Sequence, residues 1–356
     1  MNATFRRLSA LAGLVLATLA VPAFAQTAPG AGNINSLPPA LRAAVLSGNA
    51  QQVANAINVL SAGNPTQAAA LAAGVVRAAE SLLATNPQAA VNAASAAVNA
   101  VRNTAVQSGS PQNTQTVIEG AARIMLAPAV QQAVPAAATS LATNVMAAAS
   151  STGNSTLTAA VAVQAVTFAE RVVASDPAAA VQLASVAVRA VQSTTVSNTA
   201  PQQVSQVATT AARIAIQPAA QLAAPQTVAT IAITVAQVVS NPAVYNVAPT
   251  AAVSVMSNAY SAATSQTVTA ASPSAAASVT QTLNQASTNT ALTQSNPTNA
   301  AQISSILSGQ SPQQTGQNQA ANQPAQQQQQ QQQQNQQQQQ QQPGFTPTNT
   351  PIVSPI

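Results

Sequence analysis

Residues 61–150 align on residues 151–240 without a gap, and about two positions in five are identical. The alanine bias inflates that figure, but the matches extend to rarer residues: Glu80 with Glu170, Pro111 with Pro201, Arg123 with Arg213, Pro128 with Pro218 and Pro135 with Pro225. A fixed period of this length is the signature of stacked supersecondary units, each of which buries its apolar face only against a neighbour. A third copy follows at a shorter offset: Pro249, Ala251, Ala252 and Val253 answer Pro177, Ala179, Ala180 and Val181, and Pro273 answers Pro201. The segment lost between the offsets corresponds to the first helix of a unit.

Prolines punctuate each unit. Asn86-Pro87 and Asp176-Pro177 supply an N-cap acceptor followed by proline at the first helical position, where its missing N–H costs nothing. Gly63-Asn64-Pro65 ends one helix and opens the next, Ser110-Pro111 starts another, Pro128 interrupts, and Pro135 restarts. The spacing predicts helices over 65–85, 87–106, 111–126 and 135–150, with counterparts at 155–175, 177–196, 201–216 and 225–240. In the second of these, Val91, Ala94, Val98, Val101 and Ala105 draw one apolar stripe at three- and four-residue steps. The other faces are mostly alanine, which favours the helix but buries little area, so stability must come from close approach and many neighbours. Residues 227–239, "TVATIAITVAQVV", are rich in β-branched side chains and taken alone resemble a strand. Their partner ninety residues earlier, "AATSLATNVMAAA", argues for helix.

The expected fold is therefore all-α: a helical-repeat stack, α-solenoid-like or an elongated bundle, of tandem units of about 90 residues. Its organisation reads as a partial unit over 37–60, units over 61–150 and 151–240, and a shortened unit over 241–309. Before it, Arg6 and Arg7, an apolar run from Leu8 to Val21 and the small residues Ala23 and Ala25 have the pattern of a Sec-type signal peptide over 1–25, followed by a flexible stretch over 26–36. The apolar run is short for a membrane span, so no integral span is expected in the mature chain. After Gly309, glutamines dominate 326–342, and 310–356 reads as a disordered polyglutamine tail, a spacer or a self-associating segment.

The chain contains no histidine, cysteine, tryptophan or lysine. That removes the usual general base, thiol and Schiff-base nucleophiles, imidazole and thiolate metal ligands, and disulfides. No catalytic, cofactor-binding or metal-ligating residue is assigned, and an enzyme is not expected. The basic pI near 11.5 reflects scarcity of ionisable groups rather than a basic patch. Without Arg6 and Arg7 the formal net charge falls from +5 to +3, and the arginines are unclustered, so nucleic acid is not an expected partner.

Two features remain as candidates. Glu80 and Glu170 sit on the first helix of each unit, and Arg123 and Arg213 on the third. In the shortened copy the first helix is missing and Gln285 stands in the place of the arginine, so acid and base vanish together. This predicts structural ion pairs Glu80–Arg123 and Glu170–Arg213, with Arg77 and Arg171 as competing partners, inside an apolar stack where an unpaired charge would be costly. Tyr245 and Tyr260, both in the altered third unit, are the candidate contact residues, because interfaces lean on aromatic anchors. The functional expectation is an exported, non-enzymatic structural or interaction protein of the cell envelope or extracellular matrix, periplasmic or at the surface, partnered by itself or by envelope components. Alternatives are a soluble periplasmic binding scaffold or an ice- or surface-binding protein, although Thr139, Thr143, Thr152, Thr156 and Thr158 lack regular spacing.

Overall fold

The computed structural model describes residues 34–309; the expected signal peptide at 1–25, most of the stretch at 26–36 and the glutamine-rich segment at 310–356 lie outside them. Among the described residues the protein is all-helical, with twenty α-helices packed against one another and no strand. A 3-10 turn, η1 (Ile34–Ser36), precedes α1 (Pro39–Leu46) and α2 (Ala50–Ser61). Then come α3 (Pro65–Leu82), α4 (Pro87–Val101), α5 (Thr104–Gly109), α6 (Pro111–Leu126), α7 (Pro128–Ala133) and α8 (Pro135–Ser151). Next are α9 (Ser155–Val172), α10 (Pro177–Val191), α11 (Thr194–Thr199), α12 (Pro201–Ala215), α13 (Pro218–Ala223) and α14 (Pro225–Val239). Each of these last six starts ninety positions after its counterpart among α3 to α8. The chain closes with α15 (Pro242–Tyr245), α16 (Pro249–Thr264), α17 (Gln266–Ala271), α18 (Ser274–Thr288), α19 (Thr290–Ser295) and α20 (Asn299–Leu307).

The caps explain the starts. The side chains of Asn64, Asn86, Asn154 and Asp176 each accept a backbone N–H of the helix they precede, and proline holds the first position of α3, α4 and α10. The turn into α3 needs left-handed backbone at two successive residues, Ala62 (φ 47°) and Gly63 (φ 78°). Glycine suits the second, and the alanine carries the strain of the first.

Several boundaries differ from the sequence reading. The helix expected over 87–106 breaks after Val101, because Asn103 turns extended and its side chain caps Ala105 N–H, opening α5. Ala105 is consequently exposed rather than part of the stripe, whereas Val91, Ala94, Val98 and Val101 are buried. Ser193 caps Val196 N–H and opens α11 in the same way. Pro128 does more than interrupt: with Ala127 extended ahead of it, it starts the short helix α7. Residues 34–36, read as flexible, form η1, and Leu37 behind it is buried against the open side of α3. Residues 227–239 are helical within α14.

The long helices form two rows. One row is α3, α6, α9, α12, α16 and α20; the other is α2, α4, α8, α10, α14 and α18; each member touches its row neighbours and the helices facing it. The short helices α5, α11, α15 and α19 carry the chain from the second row to the first, and α7, α13 and α17 carry it back. One continuous set of buried apolar side chains runs from Leu37 to Ile306, dominated by alanine and valine. Small side chains let the rows approach closely, so dense packing compensates for the modest area each one buries.

The last part of the chain changes rows. By sequence α16 answers α10, but α16 lies beside α12 in the first row while α10 lies in the second. Likewise α18 answers α12 yet sits beside α14. Omitting one long helix from an alternating pair of rows sends every later helix to the other side.

Candidate functional site

The four charged candidates meet in pairs along the first row. Arg123 Nη2 lies 2.7 Å and Nε 2.9 Å from Glu80 Oε1, joining α6 to α3. Arg213 Nη2 lies 2.9 Å from Glu170 Oε1 and 3.1 Å from Oε2, joining α12 to α9. In one pair two nitrogens share one oxygen and in the other one nitrogen straddles two, so neither is the two-by-two fork that gives guanidinium–carboxylate pairs their strength. No ion pair of Arg77 or Arg171 accompanies them among the described residues. Both glutamates lie in the last turn of their helix, where the negative end of the dipole disfavours a carboxylate; the arginine of the neighbouring helix offsets that.

The pairs lie at the rim of the stack and not within it. Side-chain exposure is 46% for Arg123 and 16% for Glu80, against 51% and 41% for Arg213 and Glu170. Desolvation therefore does not explain why both partners are missing from the third part. Its row change does: Gln285 is carried by α18 in the second row, away from any glutamate-bearing helix. At this exposure each pair contributes at most about 1 kcal/mol. In double-mutant cycles with glutamine, the coupling is expected to stay below that for both and to be larger for Glu80–Arg123, whose carboxylate is the better shielded. Equal couplings would mean that shielding does not govern the difference.

Beneath the first pair sits Gly120, where an added Cβ would lie 2.3 Å from Val76 Cγ1. The corresponding place in α12 holds Thr210, which is buried and accepts a hydrogen bond from Arg213 Nη2 at 3.4 Å.

The two tyrosines differ sharply. Tyr245, at the end of α15, is fully buried, which corrects its reading as a surface contact. Its hydroxyl donates to Asn299 Oδ1 (2.8 Å) and accepts from Asn296 Nδ2 (3.1 Å), and Asn299 Nδ2 donates to the Ala286 carbonyl (2.9 Å). The signal missed in the sequence was Asn299, a fully buried amide 54 positions away that gives the phenol its partner. Tyr260 is half-buried on α16 and borders a cleft of about 300 Å³ with Ser257, Ser261, Thr264 and Ile306. A second cleft of about 230 Å³ lies between α10 and α14, bordered by Gln182, Ser185, Arg189, Gln226 and Thr230. Its amides and hydroxyls bring no acid–base pair together. Among the described residues no three His, Cys, Asp or Glu side chains converge on a possible metal site, and no helix is long and apolar enough to cross a membrane. The hydroxyls of Thr139 and Thr143 donate to carbonyls one turn earlier in α8, so their protons are engaged within the helix.

Burial pushes the Tyr245 phenol up from its ordinary value near 10, and the Asn296 hydrogen bond partly opposes this. The unfolded chain therefore releases that proton first, and stability present below about pH 10 is lost as the pH rises beyond it. With no His, Lys or Cys side chain to titrate, the urea midpoint is expected to stay level between about pH 6 and 9 and to fall above 10. In Tyr245→Phe the alkaline fall should shrink; an unchanged fall would assign it elsewhere.

No family model matches the chain, and no curated protein or solved structure is detectably similar to it.

Proposed function

We propose that this chain is an exported, non-enzymatic scaffold of the cell envelope or extracellular matrix, in which tandem units of about 90 residues form an α-solenoid-like stack and a glutamine-rich segment follows it. The observation that carries the reading is the recurrence, at ninety residues, of six helix starts together with a Glu–Arg contact between matching helices, all on one continuous apolar core. Such a stack offers long, nearly uncharged flanks lined with amides and hydroxyls, suited to extended contact rather than to chemistry at one point.

A soluble periplasmic binding scaffold is the second reading, favoured by the ends of the stack. The exposed residues of α2 and α18, the end members of the second row, include Gln51, Gln52, Asn55 and Asn58 on one and Gln281, Asn284 and Gln285 on the other, although Val59 of α2 and Leu46 of α1 are exposed as well. Polar terminal helices behave as caps and oppose end-to-end growth.

Fractionation with N-terminal sequencing, followed by electron microscopy of the purified mature protein, tests both readings. Export is expected to leave Gln26 as the first residue, and filaments or sheets support the structural role. A persistent exported monomer moves the conclusion to the binding scaffold, and an uncleaved cytoplasmic protein overturns both.

A further inference from the structure

The C-terminal end of the stack is held differently from the rest. Helices α19 and α20 bury three apolar side chains, Leu292, Ile303 and Ile306, whereas α9 and α14 alone bury seven or more each. Ordering each residue costs about 1–2 kcal/mol of chain entropy, so a segment with so few buried side chains depends on whatever else fastens it. What fastens it here is polar. Tyr245 and Asn299, both fully buried, share a hydrogen bond at 2.8 Å between α15 and α20. Asn296, between α19 and α20, donates to the same phenol oxygen and to Gln302 Oε1 (2.9 Å). Ser295 donates to Asn246 just beyond α15. The far end of α20 is loosely seated: the Tyr260 cleft of about 300 Å³ opens between α16 and Ile306, and the Tyr260 hydroxyl reaches the Leu307 carbonyl only at 3.5 Å.

We propose that residues 290–307 form a cap that opens as one unit while the rest of the stack stays folded, and that Tyr245, Asn296 and Asn299 are the latch that holds it shut. The receiving side of the latch belongs to the stack, since α15 packs against α11, α12, α14 and α16. Segments with few apolar contacts open locally, ahead of global unfolding, as contiguous units. Hydrogen bonds buried from water make the closed position specific, because an opened cap must find the same partners to reseat and leaves none of them satisfied if it slips. Opening would free the chain that leads directly into the glutamine-rich segment and bare the sides of α16 and α18 that the cap covers. The proposal rests on the packing at this end alone and stands whether or not the scaffold reading holds.

Native-state hydrogen exchange on the full mature chain tests it, read by mass spectrometry of peptides. The amides of 290–307 should exchange together, at least tenfold faster than those of α10 and α12. Tyr245→Phe should speed the cap about ten- to a hundredfold with α10 and α12 unchanged. Ile306→Ala, which leaves the polar latch intact, should also loosen the cap selectively, and it decides the matter if the tyrosine variant does not fold. Exchange of 290–307 at the rate of α10 and α12, exchange graded inward from Gly309 rather than shared, or a variant that quickens the whole chain alike would each overturn the proposal.

Discussion

Replacing Phe168 by alanine lowers the unfolding free energy by about 3–5 kcal/mol, the cost of emptying a fully buried aromatic site. The location decides what else follows. Glu170 points from α9 toward α12, as its contact with Arg213 shows. Phe168 lies two positions earlier, about 200° around the helix, and so turns away from α12, to the side on which α6 lies in the row; α8 and α10 also pack on α9. The side chain is therefore expected to help fill the joint between the helices up to α8 and those from α9 onward. In a linear stack stability is a sum of unit and interface contributions, and weakening one interface lets the two sides unfold apart. Denaturation of Phe168→Ala should accordingly be broader than that of the parent, or split into two steps. Alanine already occupies the matching place in α3, Ala78, which is buried too. A Phe168→Ala variant that retained one sharp transition with a loss under about 1 kcal/mol would contradict this account of the joint.

The second large effect is a change of sign. In an exposed helix Gly→Ala gains about 1 kcal/mol from propensity. At Gly120 the new methyl would meet Val76 Cγ1 at 2.3 Å, and Val76 is buried and stiff at χ1, so it cannot swing away. Overpacking of this kind costs about 1–3 kcal/mol and outweighs the propensity gain. Gly120→Ala is expected to destabilise; the same substitution made in a Val76→Ala background, where the opposing methyl is gone, is expected to stabilise. Urea midpoints of the four proteins in this square check it, and Gly120→Ala that stabilises in both backgrounds would show that the α3–α6 crossing yields freely.

The helix starts were legible because asparagine or aspartate followed by proline solves the same local problem each time, and a local solution survives in any tertiary setting. The short helices α5 and α11 were not, because Asn103 and Ser193 open them without proline, in the middle of an alanine-rich run whose propensity favours continuation. Pairing of Glu80 with Arg123 and of Glu170 with Arg213 was readable from their joint recurrence. Their position at the rim was not, since an outward and an inward face differ little when both are lined with alanine. Tyr245 was misread for a related reason: a lone aromatic in a polar stretch looks free until a buried amide from a distant helix is found beside it. The change of row after α14 is a property of contacts between helices and leaves no mark in any single segment.

That change has a consequence for how such chains can grow or shrink. Four long spans make an even count, so adding or deleting a complete set of four returns all downstream residues to the side they occupied before. Loss of a single span makes the count odd and transposes front and back for everything that follows. Residues at corresponding sequence positions then look out in opposite directions, and under the proposed scaffold reading one molecule would meet partners of the same kind on both sides.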